Sequence, residues 1–497
     1  MITQSRQYPP FQFKTNPFKH QEDEFVRSRE QKVWALFWEM GVGKTKPTID
    51  TMAWLYLKGE IDGVIIISDK GAYRNWTDYE LKIHMPTMIP TRVVTWPSSG
   101  TIEQRKQLDE IMTAKDDVLD IFVINVEAFS GGKGIDAAIK FCRAHYTMGI
   151  VDESTSIKSI TSKRALAVVS LRDYCDYRRI LTGTPVTNSP LDLFMQFQFL
   201  GDGLLGFSSY VCFRAEYAKL ILEQQGRARF YKVVGYKNLD KLASSIKPYS
   251  SRLLKSQCLD LPEKVYVTRE VSLTPQQQQA YTELKKLAVT KLQCGEIITS
   301  TNMLTLLTRL HQIVCGHVRV KDGIDDATGK IKYKTVDVDS DRINELMRII
   351  EIVDDKVIIW CNFARDMELI LAAIRKEYGR DSVVDYGGAT SDAQRPRNIN
   401  RFRTSPECKF FVSNQAVGGK GITLVEANAA IYYSNSFKLE HRLQSEDRIH
   451  RPGQRRTCTI IDIVAPRTID QKIIRVLRQK TDIASEILDL YTGLLSD

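Results

Sequence analysis

Two parallel-sheet α/β lobes joined in tandem are the fold class this sequence predicts, and three observations predict it. Short apolar runs recur in two separate sets. The intervals within each set are long enough to hold helices. A stretch of different character, from about 190 to 350, divides one set from the other.

The first set is VWALFW (33–38), GVIIIS (63–68), DIFVINV (120–126), MGIVDE (148–153) and RRILTGT (178–184). The second is DKVIIWCNF (355–363), SVVDYGG (382–388), KFFVSN (409–414), AAIYYSN (429–435) and CTIIDIVA (458–465). Runs this short, bounded by polar or glycine residues, read as strands buried on both faces, and helix-length intervals make the sheets parallel. Between the sets, PQQQQAYTELKKLAVTKL (275–292) has helical composition, with Pro275 near a first turn. KDGIDDATGKIKYK (321–334) reads as a polar hairpin or loop. The expected division is a first lobe at 1–200, a helical insertion and linker region at 201–345, and a second lobe at 346–497.

The 497 residues allow two to four domains. A formal net charge of +10 favours a polyanionic partner, although many basic proteins bind no nucleic acid. No apolar run approaches the roughly 18 residues that span a bilayer. The start, MITQSRQYPPFQF, lacks the continuous apolar core of a secretory signal. The nine cysteines are scattered without a C-x-x-C pair, which argues against a disulfide framework or zinc knuckle and for a reducing compartment. Cys315 and His317 are a lone pair and read as structural. The expectation is a cytoplasmic protein, in a bacterial cell or a virus-infected host, with no membrane association.

The strongest local signal is EMGVGKT (39–45), directly after the run VWALFW and before a helical stretch. Glycines let backbone N–H groups close around an anion, and a helix N-terminus adds a favourable dipole. On this reading Met40, Gly41, Val42, Gly43, Lys44 and Thr45 hold ATP, with Lys44 on the β and γ phosphates and Thr45 on Mg²⁺. The strict pattern wants glycine at position 38, where this chain has Trp38. A glycine turn that only caps a helix, or a kinase-type loop, stands as the alternative. The second signal is GIVDEST (149–155), an apolar strand ending in two carboxylates. Asp152 suits Mg²⁺ and Glu153 suits the attacking water. Alone, such a pair is usually a solvated strand end; with Lys44 about a hundred residues upstream it points to nucleotide hydrolysis.

Read together, these pieces resemble the Swi/Snf-type branch of the superfamily-two helicases. PFKHQ (17–21) is similar to the family's glutamine motif, and EMGVGKT to its phosphate loop, which also lacks the first glycine and has Asp where Trp38 stands. VIIISDKGAYRNWTDYE (64–80) resembles a segment that grips one DNA strand and ends in an Asn-Trp pair, here Asn75 and Trp76. DESTSIKSITSK (152–163) resembles D-E-A-H-x-x-K-N-x-x-S-K, with Ser154 and Thr155 replacing Ala and His. LTGTPVTNSPLDLF (181–194) is similar to the segment coupling hydrolysis to lobe movement, and SRLLKSQCLDLPEK (251–264) to the linker between lobes. VIIWCNF (357–363), DYGGAT (385–390) with Arg395 and Phe402, and VGGKGITLVEAN (417–428) resemble second-lobe motifs, the last with Thr423 for the usual asparagine. RLQSEDRIHRPGQRR (442–456) is similar to the segment that carries the family's arginine fingers.

The resemblance spans roughly residues 15–480 with the motifs in the family's order. It implies two RecA-like lobes with ATP in the cleft between them. It implies that Gln21 reads the adenine edge, that Gly421 joins the nucleotide contacts, and that Arg448 and Arg451 meet the phosphate charge when the cleft closes. It implies DNA contacts at Arg74, Asn75, Lys158, Ser162 and Lys163 in the first lobe, and at Asn362, Asn414 and Lys420 in the second. The implied activity is that of a DNA-dependent ATPase: a motor that moves along or remodels duplex or branched DNA in repair, recombination or replication, working as a monomer. An ATP-switched nucleic-acid clamp that does not travel is the alternative from another class. QQGRARFYKVVGYK (224–237) interleaves basic and aromatic residues, and reads either as a hairpin touching DNA or as an amphipathic cover on the first lobe. Trp34, Phe37 and Trp38 read as core, and His450 as a structural or coupling hydrogen-bonder.

Overall fold

The structure, a computed structural model, describes residues 11–69, 72–97, 101–115, 117–225, 228–293, 300–324, 331–353, 355–391, 393–419 and 422–493. The chain forms two compact units, one of residues up to Asp260 together with those from Lys480 onward, the other of Leu261–Gln479. Residues 201–345, grouped together on sequence grounds, fall on both sides of this division.

The first unit contains β1 (Val33–Trp38), β2 (Gly63–Ser68), β3 (Thr91–Thr95), β4 (Leu119–Asn125), β5 (Thr147–Asp152), β6 (Tyr177–Leu181), β7 (Ala218–Gln225), β8 (Ala228–Tyr236) and β9 (Ser250–Leu253). Seven of these make one sheet in the order β3-β4-β2-β5-β6-β1-β9, with every pairing parallel. Alternating side chains divide between two cores, as the two-residue period of a strand requires. Ala35, Phe37, Ile65, Ile67, Phe122 and Ile124 enter one cluster. Trp34, Leu36, Trp38, Val64, Ile66, Ile121 and Val123 enter the other. Both faces are therefore covered, which is why the strands read as unbroken apolar runs rather than as alternations.

The second unit contains β10 (Lys264–Glu270), β11 (His317–Ile324), β12 (Ile331–Asp337), β13 (Val357–Cys361), β14 (Val383–Tyr386), β15 (Phe410–Asn414), β16 (Ala429–Tyr432) and β17 (Cys458–Val464). Its six-stranded sheet runs β10-β17-β16-β13-β15-β14 and is again wholly parallel. The same period divides Val357, Ile359 and Cys361 from Ile358 and Trp360, each set entering a separate core. Both lobes of the predicted α/β architecture are thus present as doubly covered parallel sheets.

Two antiparallel ribbons stand apart from the sheets, β7–β8 and β11–β12. In β7–β8, Leu220, Val233 and Tyr236 pack on the first unit's core while Leu222, Phe230, Tyr231 and Val234 are exposed. The helix expected near Pro275 spans Pro275–Gln293. Cys315 and His317 are both buried. Among the described residues no helix is long and apolar enough to cross a membrane.

Candidate functional site

The loop Glu39–Lys44 leaves the buried end of β1 and enters the helix Thr45–Leu57. Gly41 and Gly43 have φ of 80° and 85°, which other residues adopt only at a cost, so the chain can turn sharply here. Pro47 lies in the helix's first turn, where its missing N–H loses no bond. Amide groups of a glycine loop and the N-terminus of the helix that follows it favour negative charge.

Gln21 is fixed against this loop. Its Nε2 donates to the Gly43 carbonyl at 3.1 Å, and its Oε1 accepts from the Phe18 amide at 2.9 Å. His20 Nε2 lies 3.1 Å from the Val42 carbonyl oxygen. Met40 and Val42 are buried, and the Lys44 ammonium donates to the carbonyls of Trp38 and Glu39 at 2.9 and 3.3 Å. Burial lowers the affinity of Lys44 for its proton, and the carboxylates of Glu153 and Asp152 oppose that shift.

Asp152 ends β5 and is held from three directions. The Trp76 indole donates to its Oδ2 at 2.9 Å, Ser68 Oγ donates to the same oxygen at 3.3 Å, and the Glu153 amide donates to Oδ1 at 3.0 Å. Burial raises the Asp152 pKa, against the opposing pull of Trp76 and Lys44. Glu153 sits in the left-handed region at φ 50° and ψ 60°, a strain of about 1–3 kcal/mol for a non-glycine residue. Thr182 Oγ1 donates to Glu153 Oε2 at 3.4 Å. A half-buried cation within electrostatic reach of two carboxylates, beside a glycine loop, is a fit environment for a nucleotide polyphosphate and its metal. Among the described residues there is no cluster of three or more metal-binding side chains. A divalent ion here would rest on Asp152, Thr45 and the phosphates themselves, the usual habit of Mg²⁺.

The loop after β6 closes on this region. A β-carbon at Gly183 would stand 2.9 Å from Met40 Cγ and 3.0 Å from its amide nitrogen, so the close approach needs glycine. Lys158 donates to Thr187 Oγ1 and lies 3.8 Å from Asp192 Oδ2. Asp192 in turn accepts from the amides of Thr187 and Asn188 at 3.0 and 2.8 Å. Lys158 is thus engaged within its own unit. Arg74 and Lys163 are exposed, Asn75 donates to Glu80 at 3.0 Å, and Ser162 precedes the helix Lys163–Ser170.

One residue of this region lies within the segment SRLLKSQCLDLPEK without being singled out there. Arg252, on β9, donates to the Phe37 carbonyl at 2.6 Å and to that of Gly183 at 3.5 Å, tying the phosphate loop's strand to the loop after β6. Nothing in its local sequence signals this, because its partners are backbone atoms far away along the chain.

In the second unit, Arg448 is 7% exposed and donates to the carbonyls of Gln444 at 2.9 Å and Ile422 at 2.7 Å. Arg451 shares the Ile422 carbonyl at 3.1 Å and donates to Thr423 Oγ1 at 2.8 Å. Both guanidinium groups therefore gather at one loop, and Thr423 meets Arg451 where the family has asparagine. In the same segment Arg442 donates to Glu446 Oε1 at 2.6 Å and to Asp462 at 2.5 and 3.0 Å, and stacks 3.7 Å from the centre of the Tyr432 ring. His450 Nε2 lies 2.9 Å from the Pro262 carbonyl oxygen. Asn414 Nδ2 donates to the Asn362 carbonyl at 2.8 Å, which brings these two predicted DNA contacts together. Lys420 and Gly421 lie outside the described residues.

The chain matches two known domain families. The SNF2-related domain matches residues 22–318, and the helicase conserved C-terminal domain matches residues 341–453. A zebrafish (Danio rerio) DNA repair and recombination protein RAD54-like is 26% identical over 91% of this chain and 63% of its own length. An uncharacterized ATP-dependent helicase of Mycoplasma pneumoniae is 25% identical over 90% of this chain and 40% of its own length. The chain therefore spans less than two thirds of either relative. It is also similar, at 24% identity and a TM-score of 0.42 over 98% of this chain and 95% of that one, to the solved Sulfolobus solfataricus SWI2/SNF2 ATPase core in complex with dsDNA. With the SNF2-related domain covering more than half of its length, the chain belongs to the SNF2-related family.

Proposed function

We propose that this chain is an ATP-dependent DNA motor that hydrolyses ATP when bound to DNA and moves along or remodels duplex or branched DNA. The observation that carries this reading is Lys44 within electrostatic reach of Asp152 and Glu153 beside a glycine-rich loop, in a member of the SNF2-related family. Lys44 would neutralise β and γ phosphate charge, Asp152 and Thr45 would hold Mg²⁺, and Glu153 would orient the attacking water. Gln21, already bonded to Gly43, would add the adenine contact, with the loop residues Met40 to Gly43 around the phosphates and Gly421 among the nucleotide contacts. Arg448 and Arg451 would supply the positive charge that develops its effect only in the transition state. Hydrolysis then requires side chains from both units. Contacts of this class on DNA fall mostly on phosphates, so binding should weaken steeply with salt and carry little sequence preference.

The naming of the zebrafish relative for DNA repair and recombination supports work in those pathways. Steady-state phosphate release with duplex, single-stranded, forked and four-way DNA ranks the substrates, and displacement of a third strand from a triplex reports movement. The expected result is stimulation by duplex or branched DNA with displacement that depends on ATP. Stimulation without displacement would instead identify a clamp that does not travel.

A further inference from the structure

The ribbon β11–β12 projects from the second unit, and its two roots are fastened to adjacent residues of one helix turn. His317, the first residue of β11, has Nε2 2.8 Å from Asp366 Oδ1. Asp337, the last residue of β12 and the cross-strand partner of His317, accepts from Arg365 at 2.9 and 2.5 Å. A two-toothed guanidinium–carboxylate pair fixes direction as well as distance. Arg365 and Asp366 open the helix Ala364–Tyr378, directly after Asn362 and Phe363.

The fastening continues to the turn itself. Ser434 Oγ donates to Asp366 Oδ2 at 2.5 Å and accepts from the Asn362 amide at 2.7 Å. Asp366 and Ser434 are fully buried, so water does not compete for these bonds. The ribbon is therefore registered to the turn that carries Asn362 and its partner Asn414.

The ribbon's two faces differ. Val318 packs on the second unit's core, and the pairing places Val318 with Val336 and Val320 with Lys334 on that side. The opposite side carries Arg319, Lys321 and Tyr333, with Lys321 opposite Tyr333 and the Arg319 guanidinium 4.7 Å from the centre of the Tyr333 ring. Arg319 and Lys321 are exposed, two residues apart on one strand. Their separation of roughly 6–7 Å repeats positive charge along a flat edge. That spacing and sign suit a nucleic-acid backbone, and the Tyr333 ring holds one of the two cations in place.

We propose that the Arg319–Lys321 face of β11–β12 is a second DNA-backbone contact of this unit, set in register with Asn362 by the His317–Asp366 and Asp337–Arg365 pairs. The inference rests on the reading of the chain as a DNA-binding motor. The test is fluorescence anisotropy of a labelled duplex with the full chain, titrated at several salt concentrations. Arg319→Ala/Lys321→Ala is expected to weaken binding at least tenfold at low salt. It should also reduce the slope of log affinity against log salt by about 2, one for each phosphate no longer neutralised. Arg319→Lys/Lys321→Arg is expected to retain both the affinity and the slope. Wild-type binding with an unchanged slope in the alanine variant would overturn the contact and leave the motor reading standing. Equal weakening in the charge-preserving variant would also overturn it, since the effect would then come from the ribbon's fold. Failure of the wild-type chain to bind duplex would overturn both readings.

Discussion

The Gln21 carboxamide nitrogen donates to the Gly43 carbonyl across 3.1 Å, and a β-carbon built on Gly43 would stand 2.4 Å from that same nitrogen. The helix Lys19–Ser28 and the phosphate loop are thus fitted to each other at a position where a β-carbon would displace the Gln21 carboxamide. Gly43→Ala would add the strain of φ 85° to this clash. The expected cost is about 1–3 kcal/mol, seen as a lower melting temperature, with loss of nucleotide binding. Adding Gln21→Ala should relieve the clash and leave the backbone strain, so stability returns only in part. A Gly43→Ala variant that melts like the wild type would contradict this geometry.

Glu153 is expected to act on water and not to hold the nucleotide. Glu153→Gln keeps the shape of the side chain and its acceptor for Thr182 while removing the charge. Phosphate release should fall by about 10²–10⁴ while binding of a fluorescent ATP analogue persists. Parallel loss of binding and turnover would assign Glu153 a structural part instead.

Arg442 is the buried centre of the second unit's polar network, with Asp462 and Glu446 as its carboxylate partners. Arg442→Met removes the cation paired with Asp462 in a region closed to water, while Glu446 keeps Lys264 and Tyr266. The expected loss is about 3–5 kcal/mol, read from urea unfolding of the full chain. A loss below about 1 kcal/mol, the range of an exposed ion pair, would mean that the network is solvated.

Acid should act differently on the two units. Burial would raise Glu446, but Lys264 and Arg442 prevail and hold it at about 2, against an ordinary 4.5. Asp470 is held at about 2 in the same way by Arg342 and His311, against an ordinary 3.8. A depressed carboxyl contributes stability above its unfolded value, and that contribution is lost as pH falls towards the folded value. The second unit should therefore weaken between about pH 4.5 and 2. Asp50 in the first unit has the opposite sign: burial raises it to about 6 despite Lys46, so its penalty at neutral pH is relieved as pH falls below 6. Hydrogen exchange, corrected for its intrinsic pH dependence, should show β17 opening in the acid window while β2 does not. Glu446→Gln should reduce the acid response at β17.

Both sheets were legible because their central strands are buried on two faces and so read as unbroken apolar runs. Of the four edge strands, β14 was read from SVVDYGG (382–388), and the other three were not. β3 (TRVVT) and β10 (KVYVTRE) are only partly buried, and β9 (SSRL) is four residues long with no apolar run. The phosphate loop was legible for a different reason, since glycine and lysine spacing is imposed by local backbone geometry. Arg252 and the bond from Trp76 to Asp152 were not, because each joins residues that only the tertiary fold brings together. The motif position of Lys158 suggests an outward contact, whereas its ammonium turns to Thr187 and Asp192, partners fixed by the loop after β6.

The proposed roles of Lys44 and Arg451 in hydrolysis are tested most directly by phosphate release with saturating duplex DNA from the wild type, Lys44→Ala and Arg451→Ala. A DNA-stimulated wild type is expected, with Arg451→Ala reduced by about 10³ or more and Lys44→Ala silent. Wild-type turnover in Arg451→Ala would show that the first unit hydrolyses ATP without the second, and the motor account would fail.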